Sequence, residues 1–180
     1  GIHLVCYNFM PVFDWTRTDL AMPLEDGSTA LAYDSSIIDG IDASEMFDRI
    51  EKASGGFVMP GWEPNRRDEI MDLFDKYKDV TADKLRENFK YFLDGIMPTC
   101  EKYQIKMAVH PDDPAWDVFG LPRIVTCEDD LLKIASLNSS IYNGFTFCTG
   151  SLGSNLNNDL PKIIRNPKIA ERIHFAHIRN

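Results

Sequence analysis

No stretch of the 180-residue chain approaches the roughly 18 to 20 consecutive apolar residues of a membrane-spanning helix, and its start, Gly1 to Phe9, lacks a signal peptide's basic lead and small-residue cleavage site. Basic residues are also scarce. With 19 Lys and Arg against 28 Asp and Glu the formal charge is −9, a balance that repels nucleic-acid phosphates and anionic lipid surfaces. No nucleic-acid or membrane partner is expected. An anionic small molecule would need local cations or a metal in one cleft. Cysteine is limited to Cys6, Cys100, Cys127 and Cys148, widely spaced and without a CxxC pair, so reduced thiols in a cytoplasmic protein are the expectation. There is no glycine-rich phosphate loop, internal repeat or low-complexity tract, and a nucleotide-binding Rossmann unit therefore has no fingerprint.

What is present is 44% apolar side chains, enough for a substantial core. Ile2 to Tyr7 reads as a strand that Pro11 ends. The stretch from Phe13 to Asp34, with Pro23 and Asp26-Gly27, reads as a long loop of functional type. Helical spacing follows over Ser44 to Ala53, Pro64 to Tyr77, and from an N-cap at Thr81 to Tyr103, where Leu85, Phe89, Phe92, Ile96 and Cys100 mark one face and Gly95 and Pro98 are expected to bend the later turns.

The rhythm then changes. Strands are expected at Ile105 to Val109, Arg123 to Val125, Gly144 to Phe147 and Ile173 to Ala176, with helices at Glu128 to Leu137 and Leu160 to Ile164. Near-continuous apolar strands alternating with helices imply a parallel sheet buried on both faces. A doubly wound sheet and a (β/α)8 barrel both fit this α/β pattern.

Three side chains share one phase of it. KMAVHPDD, GFTFCTGS and HFAHIRN place His110, Cys148 and His177 each just after a run of apolar strand residues. Strand ends of a parallel barrel converge on one mouth, so ligands 38 and 29 residues apart can meet around one ion. Each residue alone reads as structural, the thiol as a small buried hydrophobe; the repeated placement is what points to a metal. Imidazole and thiolate suit Zn²⁺ or Fe²⁺ better than Mg²⁺, and an added carboxylate favours Mn²⁺ or Fe²⁺. His3 and His174 are read as structural, the latter facing away from His177 by strand alternation. Asp112 and Asp113 are read either as outer partners of His110 or as turn residues, and Ser151 to Asn158 either as a cap for the next helix or as reaching the substrate.

The stretches YNFMPVFDWTRTDL (7 to 20), VHPDDP (109 to 114), FGLPRIV (119 to 125), NGFTFCTGSLG (143 to 153) and HFAHIRN (174 to 180) closely resemble mannonate dehydratases of the hexuronate pathway. The resemblance covers nearly the whole chain in order. It implies a (β/α)8 TIM barrel of which residues 1–180 form part, with 42–104 a helical insertion, and a metal-dependent hydro-lyase that converts D-mannonate to 2-keto-3-deoxy-D-gluconate and water. It implies Mn²⁺ or Fe²⁺ on His110, Cys148 and His177, completed by an Asp that lies, like the acid and base, on a later segment. The missing initiator Met and the strand-like start are accordingly read as a cut, as is the end just after HFAH. Arg17 and Arg179 are candidates for the substrate carboxylate, and Asn8, Asp14 and Trp15 for its hydroxyls. Competing readings are a metal-dependent sugar isomerase or epimerase on a similar barrel, and a non-catalytic metal- or sugar-acid-binding module. Homo-oligomerisation is left open, with no interface pattern to carry it.

Overall fold

The computed structural model describes residues 1–12, 17–38, 43–53 and 63–179. In chain order its elements are β1 (Leu4–Tyr7), β2 (Asp19–Pro23), β3 (Thr29–Ala32), α1 (Ser35–Ile38), α2 (Ala43–Ala53), a 3-10 turn (Pro64–Arg66), α3 (Arg67–Tyr77), α4 (Ala82–Tyr103), β4 (Lys106–Val109), α5 (Glu128–Leu137), β5 (Asn143–Cys148), α6 (Thr149–Ser154), α7 (Leu160–Arg165), α8 (Pro167–Ala170) and β6 (Ile173–His177). The chain forms two compact units, one of residues 1–10, 80–116 and 122–180 and one of 11–79 and 117–121. Within the expected 42–104 segment, α4 packs in the first unit and α2 and α3 in the second.

The first unit is built on a parallel sheet of order β1-β4-β5-β6. β5 is buried along its whole length, which accounts for its apolar run, since a central parallel strand is covered on both faces. α4 caps its start with Thr81, whose side chain accepts from the Lys84 amide at 3.2 Å, a contact worth about 1 kcal/mol. Gln104, in the left-handed region at φ 55°, closes the other end. Leu85, Phe89, Leu93, Met97 and Cys100 are its buried face, while Phe92 and Ile96 flank it half-buried. The helix continues through Pro98. The proline removes the hydrogen bond to the Asp94 carbonyl, and both residues are exposed.

Phe89 anchors this face to the first strand. Its ring stacks on Phe9 at 4.2 Å and meets Tyr7 edge-on at 6.2 Å. Burial also pushes the Tyr7 hydroxyl well above the usual tyrosine range.

Arg123 to Val125, expected as a strand, is not one. The amides of Ile124 and Val125 donate to Asp112 Oδ2 at 2.9 and 2.8 Å, so a buried carboxylate takes the place of a neighbouring strand.

In the second unit, the stretch read as a loop contains the antiparallel pair β2 and β3, joined through Gly27 at φ 85°. The Asp26 side chain binds the Ser28 amide and hydroxyl across this turn. Met46, Phe47 and Ile70 are buried, and Arg67 reaches Asp48 at 2.6 Å while its guanidinium lies 5.9 Å from the Phe47 ring centre. No helix among the described residues is long and apolar enough to cross a membrane.

Candidate metal centre

Four neighbouring parallel strands end at one edge of the sheet, and the residues there are Asn8 after β1, His110 after β4, Cys148 closing β5 and His177 closing β6. The ladder fixes this alignment. Cys148 pairs in register with His177, and the His110 amide donates to the Tyr7 carbonyl at 2.7 Å.

His110 and Cys148 are each oriented by a further contact. His110 Nδ1 lies 2.8 Å from the Pro111 carbonyl; a carbonyl only accepts, so Nδ1 carries the proton and Nε2 is left to face inward. That Nε2 lies 3.3 Å from His177 Nδ1, and Cys148 Sγ lies 3.5 Å from the same His177 atom. Tetrahedral ligands with metal–nitrogen bonds of about 2.05 Å and metal–sulfur bonds of about 2.3 Å sit about 3.4 Å apart as N···N and about 3.6 Å apart as N···S. One atom from each residue lies within 4.8 Å of the others. The spacing and the donor chemistry therefore fit a single divalent ion.

The charge of the cysteine fits as well. Burial would raise the Cys148 thiol, but contacts from His110, Ser151 and Arg179 outweigh it and bring the pKa down to about 5. At neutral pH the sulfur is a thiolate, the form that binds metals. For His110, burial would lower the pKa, yet the partnership with Cys148 and the Pro111 carbonyl shifts it upward. The ring and the thiolate thus favour each other's charged forms.

Around the thiolate lies a network that the sequence did not announce. Cys148 Sγ accepts from the Ser151 amide at 3.4 Å and from Arg179 Nε at 3.5 Å. The same guanidinium donates through Nη2 to Ser151 Oγ at 2.9 Å and forms an ion pair with Asp113. Ser151 is fully buried. The only sequence signal for it was the cluster of small polar residues straight after an apolar strand. Asp112 and Asp113 separate in role, the first holding Ile124 and Val125 and the second holding Arg179.

Of the other expected site residues, Asp14 and Trp15 lie outside the described residues, and Arg17 belongs to the second unit. His174 donates Nε2–H to the Ile141 carbonyl at 2.8 Å. It sits at the register shift between β5 and β6, and its ring lies against Gly144.

A parallel α/β sheet that gathers two imidazoles and a thiolate at its carboxyl edge defines an α/β protein with a candidate catalytic metal site. The D-mannonate dehydratase (UxuA) family model matches residues 1–180, and the chain belongs to that family. It is 59% identical over its whole length to a mannonate dehydratase of Brachyspira hyodysenteriae and 49% identical to one of Thermotoga maritima, covering 50% of each. The crystal structure of mannonate dehydratase from Streptococcus suis serotype 2 superposes with a TM-score of 0.81 at 39% identity, over 98% of this chain and 45% of that one. The chain thus spans about half the length of the curated relatives it matches.

Proposed function

We propose that the chain supplies the metal-binding part of a mannonate dehydratase, a hydro-lyase that removes water from D-mannonate to give 2-keto-3-deoxy-D-gluconate. The observation that carries this reading is the convergence of His110 Nε2, Cys148 Sγ and His177 Nδ1 at neighbouring strand ends in a chain of this family. The four parallel strands are read as part of a (β/α)8 barrel, in which such ends form the active-site mouth, with the helices inside 42–104 as its insertion.

His110, Cys148 and His177 would hold Mn²⁺ or Fe²⁺, the mixed nitrogen and sulfur set being suited to Fe²⁺ and an added carboxylate making Mn²⁺ comfortable. When bound, such an ion supplies Lewis-acid stabilisation of charge on substrate oxygens. The chain's own side chains do the rest of the holding. Arg17 is assigned to the substrate carboxylate, which a guanidinium grips through two parallel hydrogen bonds; Asn8, Asp14 and Trp15 are assigned to its hydroxyls. The acid and base are assigned to the half of the relatives' length that this chain does not span. Reduced thiols, all four cysteines being unpaired, support a cytoplasmic site of action.

The test is to incubate the intact protein with D-mannonate under reducing conditions, with and without Mn²⁺ or Fe²⁺, and to identify the product by NMR. A metal-dependent 2-keto-3-deoxy acid is expected. A product isomeric with the substrate would move the assignment to an isomerase or epimerase, and binding without turnover to a non-catalytic module.

A further inference from the structure

We propose that Arg179 is a positioning residue of the metal centre, fixing the Cys148 sulfur and joining the loops after β4, β5 and β6 into one frame; this rests on the metal-site reading above. The guanidinium uses Nε and Nη2 together. Nε reaches Cys148 Sγ at 3.5 Å, while Nη2 reaches Ser151 Oγ at 2.9 Å and pairs with Asp113. Asp113 comes from the loop that carries His110, Ser151 from the helix that Cys148 starts, and Arg179 itself from two residues past His177. One side chain therefore touches all three ligand-bearing connections.

Its backbone is held too. Thr149 Oγ1 accepts from the Arg179 amide at 2.8 Å and donates to the Arg179 carbonyl, which locks the chain after β6 to the chain after β5. Gly150 provides the floor, for a Cβ there would come within 2.8 Å of Arg179 Cγ and Nε and 3.0 Å of Cζ. A side chain at residue 150 would take the space that the Arg179 side chain occupies. Nε and Nη2 carry three of the five N–H donors of a rigid plane, and these meet a sulfur, a hydroxyl and a carboxylate at once, in an orientation that the freely turning ammonium of a lysine does not fix. Groups of this kind, behind the ligands, set ligand orientation and commonly change metal affinity about 10- to 100-fold when removed.

The role differs from gripping the substrate carboxylate, and the two separate experimentally. The intact protein, stripped of metal, is titrated with Co²⁺ alone, following the near-ultraviolet thiolate-to-cobalt charge-transfer band. The wild type should show the band at one equivalent. Arg179→Gln should bind Co²⁺ about 10- to 100-fold more weakly, with the band shifted or diminished, and Asp113→Asn should move both readouts in the same direction by less.

A wild type without the band removes the metal-site reading and this proposal with it. A normal wild-type band with unchanged cobalt affinity and band in Arg179→Gln overturns the proposal alone, and a raised KM for D-mannonate in that variant would reassign the arginine to the substrate. If Arg179→Gln proves unfolded by circular dichroism, Asp113→Asn decides. Weakened cobalt binding there supports the positioning role, and unchanged binding overturns it.

Discussion

His110 Nε2 lies 3.3 Å from His177 Nδ1 although 67 residues of chain separate them. Neutral imidazoles approach this closely, nitrogen to nitrogen, when they share a proton or an ion, and the Pro111 carbonyl already claims the other His110 nitrogen. Cys148 completes the set with a thiolate. Replacing the sulfur by oxygen in Cys148→Ser, or removing a ligand in His177→Ala, is expected to weaken metal binding by more than about tenfold, read as metal content after dialysis of the intact protein. Turnover should fall with it. A variant that keeps full metal content and turnover would exclude that side chain as a ligand.

The ion should also stabilise the fold. A ligand bound only by the native state adds about 2.7 kcal/mol at a concentration of about 100 times its Kd, so stripping the intact protein with a chelator should lower its Tm and restoring Mn²⁺ should raise it again. Cys148→Ser should blunt this response. An identical Tm with and without metal in the wild type would mean that the fold does not contain a linked site.

Asp112 governs stability rather than chemistry. Its carboxylate is fully buried, receives two backbone amides and lies 3.9 Å from the equally buried Arg123 guanidinium. Burial, working against Arg123 and the amides, pushes its pKa up to about 6. Asp112→Ala would remove the negative charge nearest the buried Arg123 guanidinium and leave two buried amides without their acceptor, and is expected to cost about 3 to 5 kcal/mol, measured by urea denaturation. A loss below about 1 kcal/mol would mean that the 122–125 segment is held by packing alone.

Much of this arrangement was legible in the sequence, for particular reasons. The runs before His110 and Cys148 are apolar because β4 and β5 are buried central strands, so the point where polarity returns marks the sheet edge, whereas β6, which leads to His177, is only partly covered. Arg123 to Val125 carried the same apolar signal and is no strand, because composition cannot tell an amide bonded to a ladder from one bonded to Asp112. β2 and β3 escaped notice for the opposite reason: both are largely exposed, so their alternation is faint and only Asp26-Gly27 marks the turn. The contacts of Arg179 join three connections far apart in sequence, and no local pattern encodes such a meeting.

Gly144 is required by its neighbour across the sheet. A Cβ at this position would press into the Arg172 carbonyl and the His174 ring, and that carbonyl already accepts from the Phe145 amide at 2.7 Å. A ring can turn aside, whereas a carbonyl in the ladder cannot move without breaking the pairing. Gly144→Ala is therefore expected at the upper end of overpacking costs, about 3 kcal/mol, in urea unfolding of the intact protein. A change below about 1 kcal/mol would show that β5 and β6 separate easily here.

His174 should make stability depend on pH. Burial lowers its pKa below the ordinary 6.5, with the charges of Lys106 and Arg172 adding to the effect and the Ile141 carbonyl opposing it. The unfolded chain therefore takes up the proton more readily than the folded one, so the stability that the neutral ring confers is present above about 6.5 and drains away as pH falls below it. In His174→Gln this contribution should be missing. Unfolding free energies of wild type and variant, compared from about pH 7 to about pH 5, should converge as the pH drops, since only the wild type carries the extra proton uptake on unfolding. The two proteins share every other side chain, so the difference between their curves isolates residue 174. Parallel curves would mean that the ring is as easily protonated against Gly144 as it is in the unfolded chain.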